Sequence, residues 1–315
     1  MTITRVPGIR VGHAQVAGGG SGCTVVMGPF RAAVEVTGMA TGTRELNALA
    51  PEHVVPSADA IMLSGGSAYG LAAAHGAMAW LSERGRGYPT GADVVPIVPA
   101  AILYDLAEDR ARPDASTGYA ACGAASELRV VEGRVGAGTG ATVGKIGGQS
   151  MPGGIGSFAV EVGGVTVGAI AAVNAVGDVL DAEGRIVAGG RDETGAFVNA
   201  SRVLRETPPA GEFAEWRVPG AQEGQNTTLC VVATDAPLSK RELARLVRMA
   251  ATALPRRIRP VNTPFDGDVV FAVSTASEVR EVTSGALMSL GDAARHALEE
   301  SLTRAVLPDG ERDGG

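Results

Sequence analysis

Cysteine is scarce. Three residues, Cys23, Cys122 and Cys230, are too few and odd in number for a disulfide framework, and a reducing compartment is expected. Basic residues are also in deficit: 27 Lys and Arg stand against 34 Asp and Glu, a net charge of −7 that argues against a cationic face able to displace counterions from nucleic acid. The first ten residues hold no apolar run of the kind a secretion signal needs. His13, His53, His75 and His296 show no metal-ligand spacing, so a zinc site is not expected; no metal or organic cofactor is expected. The 45 glycines follow no three-residue period, which excludes collagen. Hydrophobic residues make up 45% of the chain, enough for a large core, which excludes disorder as the main state.

Residues 60–82 carry no Asp, Glu, Lys or Arg and are long enough to span a bilayer. Four glycines, three serines and His75 dilute that stretch, and a buried strand, a tight turn and a buried helix explain it better. A soluble, cytoplasmic protein without membrane or nucleic-acid partners is the expectation.

The pattern along the chain is mixed. Residues 59–63 read as a buried strand closed by Ser64-Gly65-Gly66, and residues 67–84 as a helix packed closely through small side chains. Residues 94–104 carry Pro96 and Pro99 and read as an extended piece leading into a short helix. Residues 162–173 form a glycine-punctuated β-former, and residues 179–187 a hairpin. Pro and Gly between residues 206 and 225 break the periodicity. Beyond them residues 227–233 are a strand, Ser239 with Glu242 is a capping box opening a helix, residues 269–273 are a strand, and residues 284–306 a helix. The polar, glycine-rich tail 308–315 is expected to fray. Sheets covered by helices in an α+β layered domain follow from this order.

Several motifs fail on spacing. In the run Gly136 to Lys145 the phosphate-loop pattern needs Gly at 139 and Ser or Thr at 146, where Thr139 and Ile146 stand. Ser67 in Gly65-Gly66-Ser67-Ala68-Tyr69-Gly70 resembles a nucleophile elbow, but the closing glycine falls one place late. Asn226-Thr227-Thr228 matches a glycosylation sequon without a secretion signal to make it meaningful.

The setting of that sequon says more. A Gly/Pro-rich loop runs into Asn226, and Thr227 opens a strong strand. A threonine at a strand start is ordinarily just a β-former. If the Asn226–Thr227 bond were cut, however, the Thr227 amine, with a reference pKa of about 7.7–8.0, would serve as local base for its own hydroxyl. Asp266-Gly267-Asp268 precedes the strand 269–273, and carboxylates two apart in extended chain face one side. They could orient the Thr227 amine; a polar turn is the plainer alternative.

Taken together these segments resemble the DmpA-type family of N-terminal nucleophile hydrolases, which includes L-aminopeptidase/D-amidase-esterases, β-peptidyl aminopeptidases and nylon-oligomer hydrolases. The likeness covers nearly the whole chain. It runs through Gly8-Ile9-Arg10-Val11-Gly12-His13, Gly22-Cys23-Thr24-Val25, Gly42-Thr43-Arg44-Glu45 and Leu63-Ser64-Gly65-Gly66-Ser67-Ala68-Tyr69-Gly70-Leu71. It continues in Val95-Pro96-Ile97-Val98-Pro99-Ala100-Ala101, residues 136–145, Ala172-Val173-Asn174, Asn226-Thr227-Thr228 and Asp266-Gly267-Asp268.

The resemblance implies a four-layer αββα sandwich and a precursor that cuts itself between Asn226 and Thr227. The α chain 1–226 and β chain 227–315 would stay in one folded unit, and αβ units would assemble as tetramers. It assigns Thr227 as nucleophile, Asn174 as an oxyanion-hole donor, Tyr104 and Lys145 as lining the site, and Asp266 and Asp268 as the acidic pair. Lys145 would add positive charge near the oxyanion or lower the pKa of the Thr227 amine. The implied activity is hydrolysis of amide bonds in small peptides or amino-acid amides. Aminopeptidase members usually carry Ser as nucleophile and a Ser/Glu pair, whereas Thr with two Asp resembles the nylon-oligomer branch. Hydrolysis of 6-aminohexanoate oligomers or β-peptides is therefore the alternative. Ornithine acetyltransferases, which also cleave before Thr, have Ala where this chain has Asn226.

Overall fold

The structure, a computed structural model, describes residues 1–108, 110–206 and 226–312. Among the described residues nine strands are joined by ladder hydrogen bonds: β1 (Arg10–Gln15), β2 (Gly22–Val36), β3 (Gly42–Arg44), β4 (Ala58–Ser64), β5 (Ala100–Ile102), β6 (Gly154–Val162), β7 (Val165–Asn174), β8 (Thr227–Thr234) and β9 (Val269–Ser274). Their order is β6-β7-β8-β9-β2-β4-β5-β3, with β1 against β2. Strand β2 belongs to both halves of this path. Its residues 31–36 pair with β9, its residues 23–30 pair with β4, and the register shifts between Met27 and Phe30, where Gly28 and Pro29 interrupt the ladder.

Side-chain alternation divides the path into layers, because successive residues of a strand face opposite sides. Leu229 and Val231 of β8 and Phe271 of β9 pack with Val26, Ile61 and Leu63 from β2 and β4 in a core between two sheets. The intervening Cys230, Val232, Val270 and Ala272 turn outward, onto Leu243 and Leu246 of α3 (Lys240–Ala251) and Leu298 of α4 (Ser284–Arg304). On the opposite side Val25, Met27, Ala60 and Met62 meet α1 (Ala73–Ser82) and α2 (Ala115–Gly123). The layers are helix, sheet, sheet, helix, and the fold is the expected αββα sandwich.

Every residue of β8 is buried, flanked by antiparallel β7 and parallel β9. The start of β8, the end of β7 and the entry to β9 therefore lie side by side. That convergence positions the site.

The Ser239–Glu242 capping box opens α3 as expected, and the hairpin at 179–187 forms between Asp178–Leu180 and Ile186–Ala188. Several segments differ from the reading of the sequence. The helix expected from 67 begins only at Ala73, after a 3-10 stretch Ser67–Ala72 entered through Gly66 and Ser67 at φ 81° and 52°. Residues 103–108 form no helix. The β-former at 162–173 is half of a hairpin whose other strand, β6, was not anticipated. Helix α2 is also additional, and it seats against α1 where Gly76 and Gly118 leave no room for a Cβ against the Ala115 and Ala73 carbonyls. The break at 207–225 and the last three residues of the tail lie outside the described residues. Among the described residues no helix is long and apolar enough to cross a membrane.

Candidate active site

Asn226 and Thr227 are buried, 0% and 2% exposed. The Thr227 hydroxyl donates to the Asn226 carbonyl oxygen at 2.5 Å. That oxygen also accepts from the Gly267 N–H at 2.8 Å. Parallel pairing of β8 with the chain entering β9 creates this second contact, since Asn226 bridges to Asp266 three residues before the regular ladder opens at Leu229 and Val269. Gly267 is required there by space: a Cβ would stand 2.6 Å from Thr227 Oγ1 and 2.7 Å from the Ala40 carbonyl. The turn after β2 holds the segment in place, with Thr37 and Gly38 N–H donating to the Asp268 carbonyl and Ala40 N–H to that of Asp266.

Across the β7–β8 ladder Asn174 is the direct partner of Thr227. Three groups fix its side chain. Asn174 Oδ1 accepts from Lys145 Nζ at 3.0 Å and from Thr142 N–H at 3.0 Å, and Nδ2 donates to the Tyr104 carbonyl at 2.9 Å. Tyr104 is itself held by Asp105, whose Oδ1 accepts from Gly66 N–H at 2.7 Å in the turn after β4. The sequence motif at 63–70 thus has a role in the site, but as a brace; Ser67 is no nucleophile elbow here, being the left-handed first residue of a 3-10 turn.

The acidic pair is buried, Asp266 and Asp268 each 1% exposed. Asp266 Oδ2 accepts from Thr263 N–H at 2.9 Å and Thr263 Oγ1 at 2.7 Å. Asp268 Oδ1 accepts from Thr228 N–H at 2.6 Å, while its Oδ2 has no partner. Neither carboxylate is hydrogen-bonded to Thr227 in the uncut chain among the described residues; Asp268 reaches the next residue instead. Burial, reinforced by the negative charge of Asp266, pushes the Asp268 carboxyl up to about 7. Burial also raises Asp266. Lys145 moves the other way, drawn down to about 7 by burial against the opposing pull of Asp266 and Asp105. Burial thus brings a carboxyl and an ammonium toward neutrality from opposite sides around the ends of β7, β8 and β9.

All the residues singled out from the sequence, Thr227, Asn226, Asn174, Lys145, Tyr104, Asp266 and Asp268, meet around these three strand ends. Sequence reasoning passed over Gly267, Thr263 and Thr142. Gly267 had a visible signal, a glycine between two acids just before a strand. The histidines lie elsewhere: His13 bonds Thr24 Oγ1, His75 bonds Arg44, His53 accepts from Val55 N–H, and His296 meets Phe158 edge-on. A cleft of about 420 Å³ opens beside Lys145 and Tyr104.

Comparison with known proteins places this arrangement. The description of peptidase family S58 matches residues 2–314. The chain belongs to peptidase family S58. As an S58 member it is a hydrolase acting on amide bonds. It is 41% identical over 331 residues to an uncharacterized aminopeptidase of Mycobacterium tuberculosis, covering 97% of this chain and 92% of the relative. It is 33% identical over 278 residues to the 6-aminohexanoate-oligomer endohydrolase of Agromyces sp., covering 85% and 73%. Among solved structures, the S58 chain resembles a Burkholderia sp. β-aminopeptidase with a TM-score of 0.71 at 24% identity, covering 96% and 85%. The L-aminopeptidase D-Ala-esterase/amidase of Ochrobactrum anthropi, described as a variant of the Ntn hydrolase fold, gives 0.70 at 22% with the same coverage.

Proposed function

We propose that this S58 hydrolase matures by cutting its own Asn226–Thr227 bond and then uses Thr227 as an N-terminal nucleophile on small peptides or amino-acid amides. The observation that carries this reading is the pair of contacts on the Asn226 carbonyl oxygen, from Thr227 Oγ1 at 2.5 Å and from Gly267 N–H at 2.8 Å. In maturation Thr227 Oγ1 attacks the Asn226 carbonyl carbon and gives up its proton to a neighbouring base. The new oxyanion stays on the Gly267 N–H. Collapse breaks the C–N bond, the Thr227 nitrogen takes a proton, and an ester joins Asn226 to Oγ1. Water then hydrolyses that ester, leaving a carboxylate on Asn226 and a free amine beside the Thr227 hydroxyl.

Turnover repeats the sequence on an external amide. The Thr227 amine takes the hydroxyl proton, an acyl ester forms, the amine product departs and water releases the acid. Lys145, poised near neutrality, favours an unprotonated Thr227 amine when it is itself charged. Asn174, oriented by Lys145, Thr142 and Tyr104, supplies a polar amide next to the nucleophile. Asp266 and Asp268 carry the negative charge that balances the developing ammonium. Thr227 together with two Asp favours 6-aminohexanoate-type ω-amino-acid amides as a second substrate class, in line with the Agromyces relative. Residues 1–315 act as one unit, cut into 1–226 and 227–315, working in the cytoplasm as a tetramer of αβ units.

The test is Thr227→Ala. The variant should remain one chain and lose hydrolysis of amino-acid p-nitroanilides, β-alanyl amides and 6-aminohexanoate dimer alike. A cut and active Thr227→Ala protein overturns the reading.

A further inference from the structure

Two arginines line the cleft beside Lys145, and among the described residues neither forms an ion pair. Arg110 donates to the Asp105 carbonyl oxygen at 2.8 Å, and Arg134 donates through Nε and Nη2 to the Thr139 carbonyl oxygen at 3.2 Å each. Among the described residues no carboxylate oxygen lies within ion-pair distance of either. Both line the same cleft as Tyr104, Thr142 and Lys145. The one carboxylate on that wall, Asp105, is turned away: Oδ1 is taken by Gly66 N–H, and Oδ2 is buried without a hydrogen-bond partner. Burial pushes the Asp105 carboxyl upward, against the opposing pull of the Arg110 charge.

The inner end of this cleft is Lys145, bonded to the Asn174 side chain, and Asn174 is the ladder partner of Thr227. The cleft wall formed by Arg110, Arg134 and Lys145 is thus electropositive and is linked to Thr227 through Asn174, on a protein whose net charge is −7. Guanidinium groups with free N–H donors and a carbonyl anchor suit a planar carboxylate, which takes two parallel hydrogen bonds.

We propose that Arg110 and Arg134 form a carboxylate-recognition subsite and that the preferred substrates carry a free carboxylate near the scissile amide. This rests on the amide-hydrolase reading and narrows it to anionic or zwitterionic amides. The carboxylate can sit on the acyl side, as in a glutaryl amide, or on the leaving amine, as in a free dipeptide.

Matched substrates separate these sources and test the proposal. With processed wild-type protein, kcat/KM is measured for glutaryl p-nitroanilide against its glutaramide-type neutral analogue, and for a free dipeptide against its C-terminal amide. At least one pair should favour the anionic member by roughly 10- to 100-fold, mostly through KM, the range of a charge-assisted hydrogen bond; the pair that responds identifies the side. Arg110→Gln with Arg134→Gln should abolish the preference, and Arg110→Lys with Arg134→Lys should restore part of it. Appearance of the 1–226 and 227–315 fragments in each variant reports that it folds. Equal kcat/KM within both pairs, with turnover lost in Thr227→Ala, overturns the subsite and leaves the hydrolase reading standing. A preference that survives the double Gln variant also overturns the subsite. Absence of turnover on all four substrates by fully cut protein overturns both.

Discussion

The Gly267 N–H donates to the Asn226 carbonyl oxygen at 2.8 Å, so the peptide bond before Thr227 is polarised by the residue that separates the two buried aspartates. The same residue leaves room for the attacking hydroxyl, because a Cβ at 267 would stand 2.6 Å from Thr227 Oγ1. Gly267→Ala should therefore slow self-cleavage by at least about tenfold, as displaced oxyanion donors do. A time course of fragment appearance on denaturing gels measures it; an unchanged rate would separate Gly267 from the chemistry.

Asn174 carries three contacts in the buried end of β7. Asn174→Ala strands the Thr142 N–H and the Tyr104 carbonyl, and unsatisfied buried groups cost about 1–3 kcal/mol each. The variant should melt at lower temperature and lose roughly 10²-fold or more in kcat. Asn174→Asp keeps the acceptor for Lys145 at 3.0 Å but adds a negative charge there, which should hold the lysine protonated to higher pH. Unaltered kcat in both variants contradicts the assignment.

Self-cleavage should rise with pH through about 7. Lys145 loses its proton and Asp268 becomes an anion near that value, so the local groups turn basic together. The linkage to stability has opposite signs for the two. Asp268, raised in the folded state, contributes stability that is full below its unfolded pKa of about 3.9 and is lost as pH rises through about 7. Lys145, lowered, contributes stability that is full above its unfolded pKa of about 10.4 and is lost as pH falls through about 7. In uncut Thr227→Ala protein, Asp268→Asn should accordingly raise the melting temperature more at pH 8 than at pH 5.5. Equal shifts at both pH values, or a flat cleavage profile from pH 5 to 9, would count against these placements.

A distant control separates folding from chemistry. Glu299 on α4 is 3% exposed and meets the buried Arg257 at 3.1 Å, with Arg295 and Arg256 on its other oxygen. Glu299→Ala leaves the buried Arg257 with Glu300 at 3.7 Å and the Asp181 carbonyl as partners, a loss below the roughly 3–5 kcal/mol of a fully uncompensated buried charge. Denaturant unfolding should show it, with the pH midpoint of self-cleavage unmoved in protein that still folds.

Strand β8 and helix α3 were legible in the sequence because Thr227 opens an unbroken run of apolar and β-branched residues, and Ser239 with Glu242 satisfies both ends of a cap. Strand β2 was not anticipated: Gly28 and Pro29 interrupt its pattern, and they mark where one strand passes between two sheets. Helix α2 has no apolar stripe; its glycine and alanine face serves close approach to α1, and the Asp114–Thr117 cap was its one local signal. The site residues were recognisable as separate motifs. Their meeting depends on the long-range pairing of β7, β8 and β9, which no local pattern encodes. The arginines of the cleft have no motif at all, and only the folded wall brings them beside Lys145.

Scission between Asn226 and Thr227 is the step on which the proposed activity depends. Intact-mass spectrometry of freshly purified, catalytically active protein should give two polypeptides, residues 1–226 and 227–315, the second beginning with an unblocked threonine. A single mass for the continuous chain in an active preparation would contradict it.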